Sequence, residues 1–215
     1  MHKLYRPFVE ASLGPYLSAI DATLERLDRE KIVQRIWSHD HTVWKPEPAG
    51  IVDRLGWLNS PEMMMDNLHR LQGLADALRR DGYTHALLLG MGGSSLAPEV
   101  LAETFGVSKG GLQLAVVDST DPGFVLAHAE RLDPRHTLFI VSSKSGTTVE
   151  TLSLFKYFYN LMASQMGADA GEHFVAITDP GSPLIDLAET YRFRAIFLND
   201  PCIGCLLYTS PSPRD

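Results

Sequence analysis

The sequence predicts an α/β protein, a three-layer sandwich around a five-stranded parallel sheet, preceded by an N-terminal helical segment. Three observations lead there. Short apolar runs at 86–89, 112–117, 138–141, 174–177 and 195–198 are nearly continuous in hydrophobicity, as in strands buried on both faces. The stretches between them, at about 95–105, 122–131, 148–164 and 183–191, are long enough for crossover helices, and strand–helix–strand repetition implies parallel strands with right-handed connections. Before residue 81 the apolar residues recur at helical spacing instead.

In chain order, Val9, Leu13, Leu17, Ile20, Leu24 and Leu27 form one apolar stripe and predict a long helix. A shorter helical stretch surrounds Ile32, Val33 and Ile36, and Pro46 and Pro48 then break the chain. Ser60 followed by Pro61 reads as an N-cap with proline at the first helical position. Met64, Leu68, Leu71, Ala75 and Leu78 supply the stripe of that helix, and Met63, Met64 and Met65 read as gap-filling core with one exposed member. Trp37, Trp44 and Trp57 are expected to pack this segment, residues 1–80, against the sheet domain of residues 81–204. Further on, the aromatic run Phe155, Tyr157, Phe158 and Tyr159 covers more than one helix face and reads as core.

Composition narrows the function. Apolar residues make up 45 % and charged residues 21 %, as in an ordinary globular chain. The net charge of −7 speaks against a nucleic-acid or anionic-membrane surface. No run approaches the ~18 apolar residues of a membrane span, and residues 1–7 lack the apolar stretch of a secretory signal, so the cytoplasm is the default location. Two cysteines, Cys202 and Cys205, make no disulfide framework. His39, Asp40 and His41 read as a polar turn, because a zinc site needs three or four converging ligands.

Ligands of such sheets bind beyond the carboxyl ends of the strands, and two loops there carry chemistry. Gly90-Met91-Gly92-Gly93-Ser94-Ser95 lets the backbone turn tightly and approach a ligand at a helix start, where unpaired N–H groups and the helix dipole suit a phosphate. Its spacing is neither the dinucleotide fingerprint nor the P-loop. In Ser143-Lys144-Ser145-Gly146-Thr147-Thr148, four hydroxyls, one ammonium and one glycine fall within six residues. Thr147 with Glu150 predicts a capping box, which would aim the next helix into the loop. Hydroxyls, amides and ammonium all suit phosphate oxygens, and three or four such bonds at ~1.5–3 kcal/mol each would hold a monophosphorylated ligand.

These residues resemble the phosphate-side motifs of the glucose-6-phosphate isomerase family, which has the sugar isomerase (SIS) fold. The resemblance rests on the segments GMGGSSLAPE and VSSKSGTTVET, on Asp118-Ser119-Thr120-Asp121-Pro122, and on Asn199-Asp200-Pro201-Cys202-Ile203-Gly204. It covers about residues 30–204, and Asp40-His41-Thr42-Val43-Trp44-Lys45-Pro46 is similar to the isomerase part of bacterial transaldolase–isomerase fusions. It implies that Gly93 and Ser94 contact a sugar phosphate, and that Ser143, Lys144, Ser145, Thr147 and Thr148 hold the phosphate. It further implies interconversion of glucose 6-phosphate and fructose 6-phosphate through an enediol, with a glutamate moving the proton and an arginine beside the developing charge. No metal or organic cofactor is implied, and a homodimer is. Two alternatives share these loops: a non-catalytic sugar-phosphate sensor, and an isomerase of another phosphosugar.

The chain departs from the family after Gly204, where a Gly-Arg pair is expected and Cys205 stands. Residues 205–215 read as the translation of a transposase sequencing adapter, since all eleven fit one reading frame. The Cys202–Cys205 pair is therefore not read as a redox motif. The resemblance implies that the family's catalytic glutamate, arginine, histidine and C-terminal lysine fall outside this chain, which would keep the phosphate half of the site and be inactive as an isomerase.

Overall fold

In the computed structural model the described residues are 14–203. Helix α1 spans Leu17–Arg29, α2 Ile32–Trp37 and α3 Ser60–Arg80. The sheet region then alternates β1 (His85–Gly90), α4 (Gly93–Phe105), β2 (Gln113–Val117), α5 (Pro122–Ala129), β3 (Thr137–Ser142), α6 (Val149–Met166), β4 (Phe174–Thr178), α7 (Pro183–Thr190) and β5 (Ala195–Leu198). Each strand lies within a residue of the run that predicts it. No helix among the described residues is long and apolar enough to cross a membrane.

All five strands are parallel, in the order β2-β1-β3-β4-β5. The chain steps from β1 outward to β2, then returns across β1 to β3 and continues to β4 and β5. With right-handed crossovers this reversal sends the connections after β1 and β3 to opposite faces, so a crevice opens between their carboxyl ends.

Alternate strand residues fill the two faces, as the pleat requires. On one face Leu87, Leu89, Phe139, Val141, Phe174 and Ala176 meet α5, α6 and α7 through Val125, Leu154, Phe155, Phe158, Met162, Leu184 and Ala188. Phe139 stacks on Phe174 with ring centroids 4.8 Å apart, and Phe155 meets Phe174 edge-on at 5.7 Å. The aromatic run of α6 is thus core through Phe155 and Phe158, with Tyr159 packed beside them and Tyr157 turned outward. On the other face Leu138 and Val175 are buried with Leu78 of α3.

The N-terminal segment departs from its sequence reading. Gly14–Tyr16 is a short 3₁₀ turn, so the α-helix begins only at Leu17; Val9 and Leu13 lie outside the described residues. No residue of α1 or α2 is buried. In α3 the amino-terminal half buries no residue, with Met64 and Met65 both exposed and Met63 half-buried, so the methionine run fills no core gap. Only Leu78, near its end, is buried. Trp37, Trp44 and Trp57 are exposed as well, because the segment meets the rest of the protein elsewhere. Besides Leu78, it is Leu55, Gly56 and Leu58 that go inside. Leu55 bridges Ile203, and Gly56 N–H donates to the Cys202 carbonyl at 2.9 Å. A Cβ on Gly56 would fall 2.5 Å from an Asp200 carboxylate oxygen, so glycine permits this close crossing. Helix α3 also starts one residue earlier than expected, with Asn59 rather than Ser60 at the N-cap.

Candidate functional site

A cavity of about 420 Å³ occupies the crevice between the ends of β1 and β3, within the ~300–1,000 Å³ typical of ligand pockets. Met91, Ser94, Ser142, Ser143, Lys144, Ser145, Thr148, Thr151 and Asp179 line it.

The β1 loop builds one wall. A Cβ on Gly90 would stand 2.9 Å from Ser94 Cβ and 3.2 Å from the Ser142 carbonyl, so glycine brings β1, β3 and the start of α4 together. Gly92, with φ +55°, turns the chain into α4. Ser95 Oγ is fully buried and donates to the Gly92 carbonyl at 3.0 Å, fastening the turn from behind. Ser94, half-buried, is the serine that faces the cavity.

The β3 loop builds the opposite wall, locked from below by β4. Ser143 N–H donates to the Ile177 carbonyl and Asp179 N–H to the Lys144 carbonyl. The buried Thr178 hydroxyl donates to the Ser143 carbonyl at 2.7 Å. Gly146, at φ +68°, sits so close to α7 that a Cβ would fall 2.0 Å from Ser182 Oγ. Above this base the hydroxyls pair: Ser143 Oγ with Thr148 Oγ1 at 3.1 Å, and Ser145 Oγ with Thr147 Oγ1 at 2.9 Å. Gly146 N–H donates to Ser143 Oγ and Thr147 N–H to Ser145 Oγ. In each pair one O–H is spent on its neighbour, which leaves the other free to donate outward to an acceptor.

This pairing displaces the predicted capping box. Helix α6 begins at Val149 with Thr148 as N-cap, so Glu150 stands one position early and exposed, and Thr147 bonds to Ser145 instead. The hydroxyls of the loop satisfy one another across it rather than closing locally on the helix.

Of the residues expected to bind, Ser94, Ser143, Lys144, Ser145 and Thr148 line the cavity together; Gly93 opens α4 beside it, and Thr147 supports Ser145 from the exposed side. The Lys144 ammonium is already engaged, ion-paired with Asp179 and donating to the Pro201 carbonyl at 3.2 Å. Asp179 belongs to no motif, and Thr151 closes the VSSKSGTTVET segment with no role assigned to it there; their place in the cavity depends on β4 and α6 packing beside the loop. The pocket's two ionisable side chains, Lys144 and Asp179, are thus bound to each other.

The other singled-out residues serve structure. Asp121 caps α5 by accepting from Phe124 N–H at 2.8 Å. Asp40 accepts from the Arg35 guanidinium and from Thr42 N–H and hydroxyl, and those partners, Thr42 first, hold its carboxyl down at about 2. His41 points its Nε2 at the Pro46 carbonyl. Among the described residues no group of three His, Cys, Asp or Glu side chains could hold a metal.

Comparison with known proteins gives a consistent set of relatives. Residues 74–184 match the family profile described as phosphoglucose isomerase. A glucose-6-phosphate isomerase of Thermus thermophilus is 34 % identical over 158 residues, which is 73 % of this chain and 37 % of that protein. One from Acaryochloris marina is 30 % identical over 183 residues, 82 % of this chain and 33 % of its own length. The chain therefore spans about a third of the length of these curated relatives. A crystal structure of a hypothetical protein from Thermus thermophilus superposes with TM-score 0.70 at 29 % identity, over 89 % of this chain and 44 % of that one. A crystal structure of a glucose-6-phosphate isomerase from Chlamydia trachomatis superposes with TM-score 0.55 at 29 % identity, over 63 % and 26 %.

Proposed function

Since the chain belongs to the phosphoglucose isomerase family, we propose that its pocket binds the phosphate of a hexose monophosphate, glucose 6-phosphate or fructose 6-phosphate, as one half of an aldose–ketose isomerase site. The observation that carries this reading is the set of hydroxyls of Ser143, Ser145 and Thr148, which line the cavity with Ser94 at the switch point of the sheet and are paired among themselves and with Thr147. Donors preorganised around a cavity at two helix starts suit an oxyanion, because they need not reorganise when charge arrives. Gly93 supplies the close backbone approach on the α4 side.

Lys144 contributes through position more than through free charge. Its ammonium neutralises Asp179, which would otherwise repel an anion, and its backbone is stitched to β4. Proton transfer between C1 and C2 needs a base that can gain and lose a proton beside the sugar. The pocket's carboxylate is occupied by Lys144, and Glu150 is exposed beyond the loop. We therefore assign this chain the anchoring half of the site and place the acid–base residues in the portion of the family's length that it does not span. The same resemblance leads us to propose a homodimer as the working assembly and an origin beside a transaldolase domain; from the sequence pattern we propose a cytoplasmic location, a division into residues 1–80 and 81–204, and a non-native stretch at 205–215.

Titration calorimetry with fructose 6-phosphate tests the reading. Micromolar-to-millimolar affinity is expected, and Ser143→Ala with Thr148→Val should weaken it tenfold or more, from two lost bonds at ~1.5 kcal/mol each. A coupled assay should show turnover far below that of a complete relative run beside it. Undiminished affinity in the double variant would put the phosphate elsewhere.

A further inference from the structure

Resting on the phosphate-binding reading above, we infer that Thr151 is a further binding residue of the same pocket, its hydroxyl donating a hydrogen bond to an oxygen of the bound phosphate. Among the described residues, Thr151 Oγ1 is the one buried side-chain polar atom with no hydrogen-bond partner. The residue is wholly buried and lines the cavity beside Ser143, Ser145 and Thr148.

Its place in α6 sets which groups lie beside it. Thr151 follows the N-cap residue Thr148 by three positions, so the two share a helix face. The Cα–Cβ bond of a helical residue tilts toward the amino terminus, which here is the loop. A helical serine or threonine commonly returns its hydroxyl to a carbonyl three or four residues back. Ser153, Thr104 and Thr190 all do so, at 2.7, 2.6 and 2.7 Å. Thr151 does not. Buried hydroxyls are nearly always paired, and leaving one unpaired is costly, so its partner arrives with the ligand. That partner is an acceptor: the surrounding groups are hydroxyls and a helix start, and the neighbouring carboxylate of Asp179 is already bound to Lys144.

The test titrates the full chain, Thr151→Val and Thr151→Ser with inorganic phosphate and with fructose 6-phosphate by calorimetry, and melts each protein without ligand. Valine keeps the shape and removes the hydroxyl. Thr151→Val should bind both probes about tenfold more weakly, as loss of one bond to a charged acceptor implies, while Thr151→Ser stays within about threefold of the parent. The ligand-free Tm of Thr151→Val should be unchanged or higher, because an unsatisfied group has been removed. Two results overturn the inference alone: parent-like binding by Thr151→Val, or a lowered ligand-free Tm that serine restores, which would assign the hydroxyl a purely structural bond. Should the valine variant fail to fold, Thr151→Ala carries the same comparison. A parent chain that binds neither probe overturns the phosphate reading itself, and this inference with it.

Discussion

At the scale of single residues the site is a problem of close approach. Gly146 combines a left-handed backbone with contact against α7: a Cβ there would meet Ser182 Oγ at 2.0 Å and the Leu184 backbone nitrogen at 2.8 Å. Ser182 cannot simply swing aside, since its hydroxyl is hydrogen-bonded to that of Thr178 at 2.7 Å and caps α7 through Leu184 N–H. Gly146→Ala should therefore destabilise the protein by at least ~1–3 kcal/mol from the backbone alone, and weaken fructose 6-phosphate binding with it. Urea unfolding and calorimetry on one preparation check both; a variant as stable as the parent would mean that the loop has room the structure does not show. The loop's residue types were legible in the sequence. The pairing of their hydroxyls, and the neutralisation of Lys144 by Asp179, were not, because 35 positions separate that ion pair and only the β3–β4 register closes the gap.

At the scale of elements, burial on both faces made the strands easy to read, whereas the helices divide by what they pack against. Helix α6 is the central one, with Thr151, Leu154, Phe155, Phe158 and Met162 all buried. Phe158 meets Phe139 at 5.3 Å and is fully enclosed. Phe158→Ala should cost ~3–5 kcal/mol, the range for emptying a large aromatic site in a packed core. Because α6 also carries Thr148 and Thr151, partial unfolding of this variant should be reversed by saturating phosphate, which a shift of the urea midpoint would report. A loss below ~1 kcal/mol would show that the core refills the space. The N-terminal helices are the opposite case. Their 3.6-residue periodicity is real, yet no residue of α1 or α2 is buried, since amphipathicity states that a helix has a face to cover without stating what covers it.

At the scale of the whole molecule, the end of the sheet away from the pocket is held by charge and aromatic contact. The Tyr83 hydroxyl meets His173 Nδ1 at 3.1 Å, that nitrogen lies 3.3 Å from the Thr137 carbonyl, and Arg194 lies over the Tyr83 ring while pairing with Asp81. Burial, with the Arg194 charge adding to it, holds the His173 imidazole below its ordinary value of 6.5. The unfolded chain then takes up the proton first, so stability is whole above 6.5 and falls as the pH drops below it. Urea midpoints measured from neutral pH to about pH 5 should fall for the parent, and fall less for His173→Gln; equal slopes would remove His173 from the account. The sheet region was already written in the chain: five runs of apolar residues, the helices between them, and the two loops rich in glycine and hydroxyls, because burial on both faces and turn chemistry are local properties. Strand order emerged only on folding, and with it the crevice between β1 and β3, the engagement of Lys144 by Asp179, and the unpaired hydroxyl of Thr151. Those depend on which distant segments become neighbours, and residue spacing along a chain carries no direct record of that.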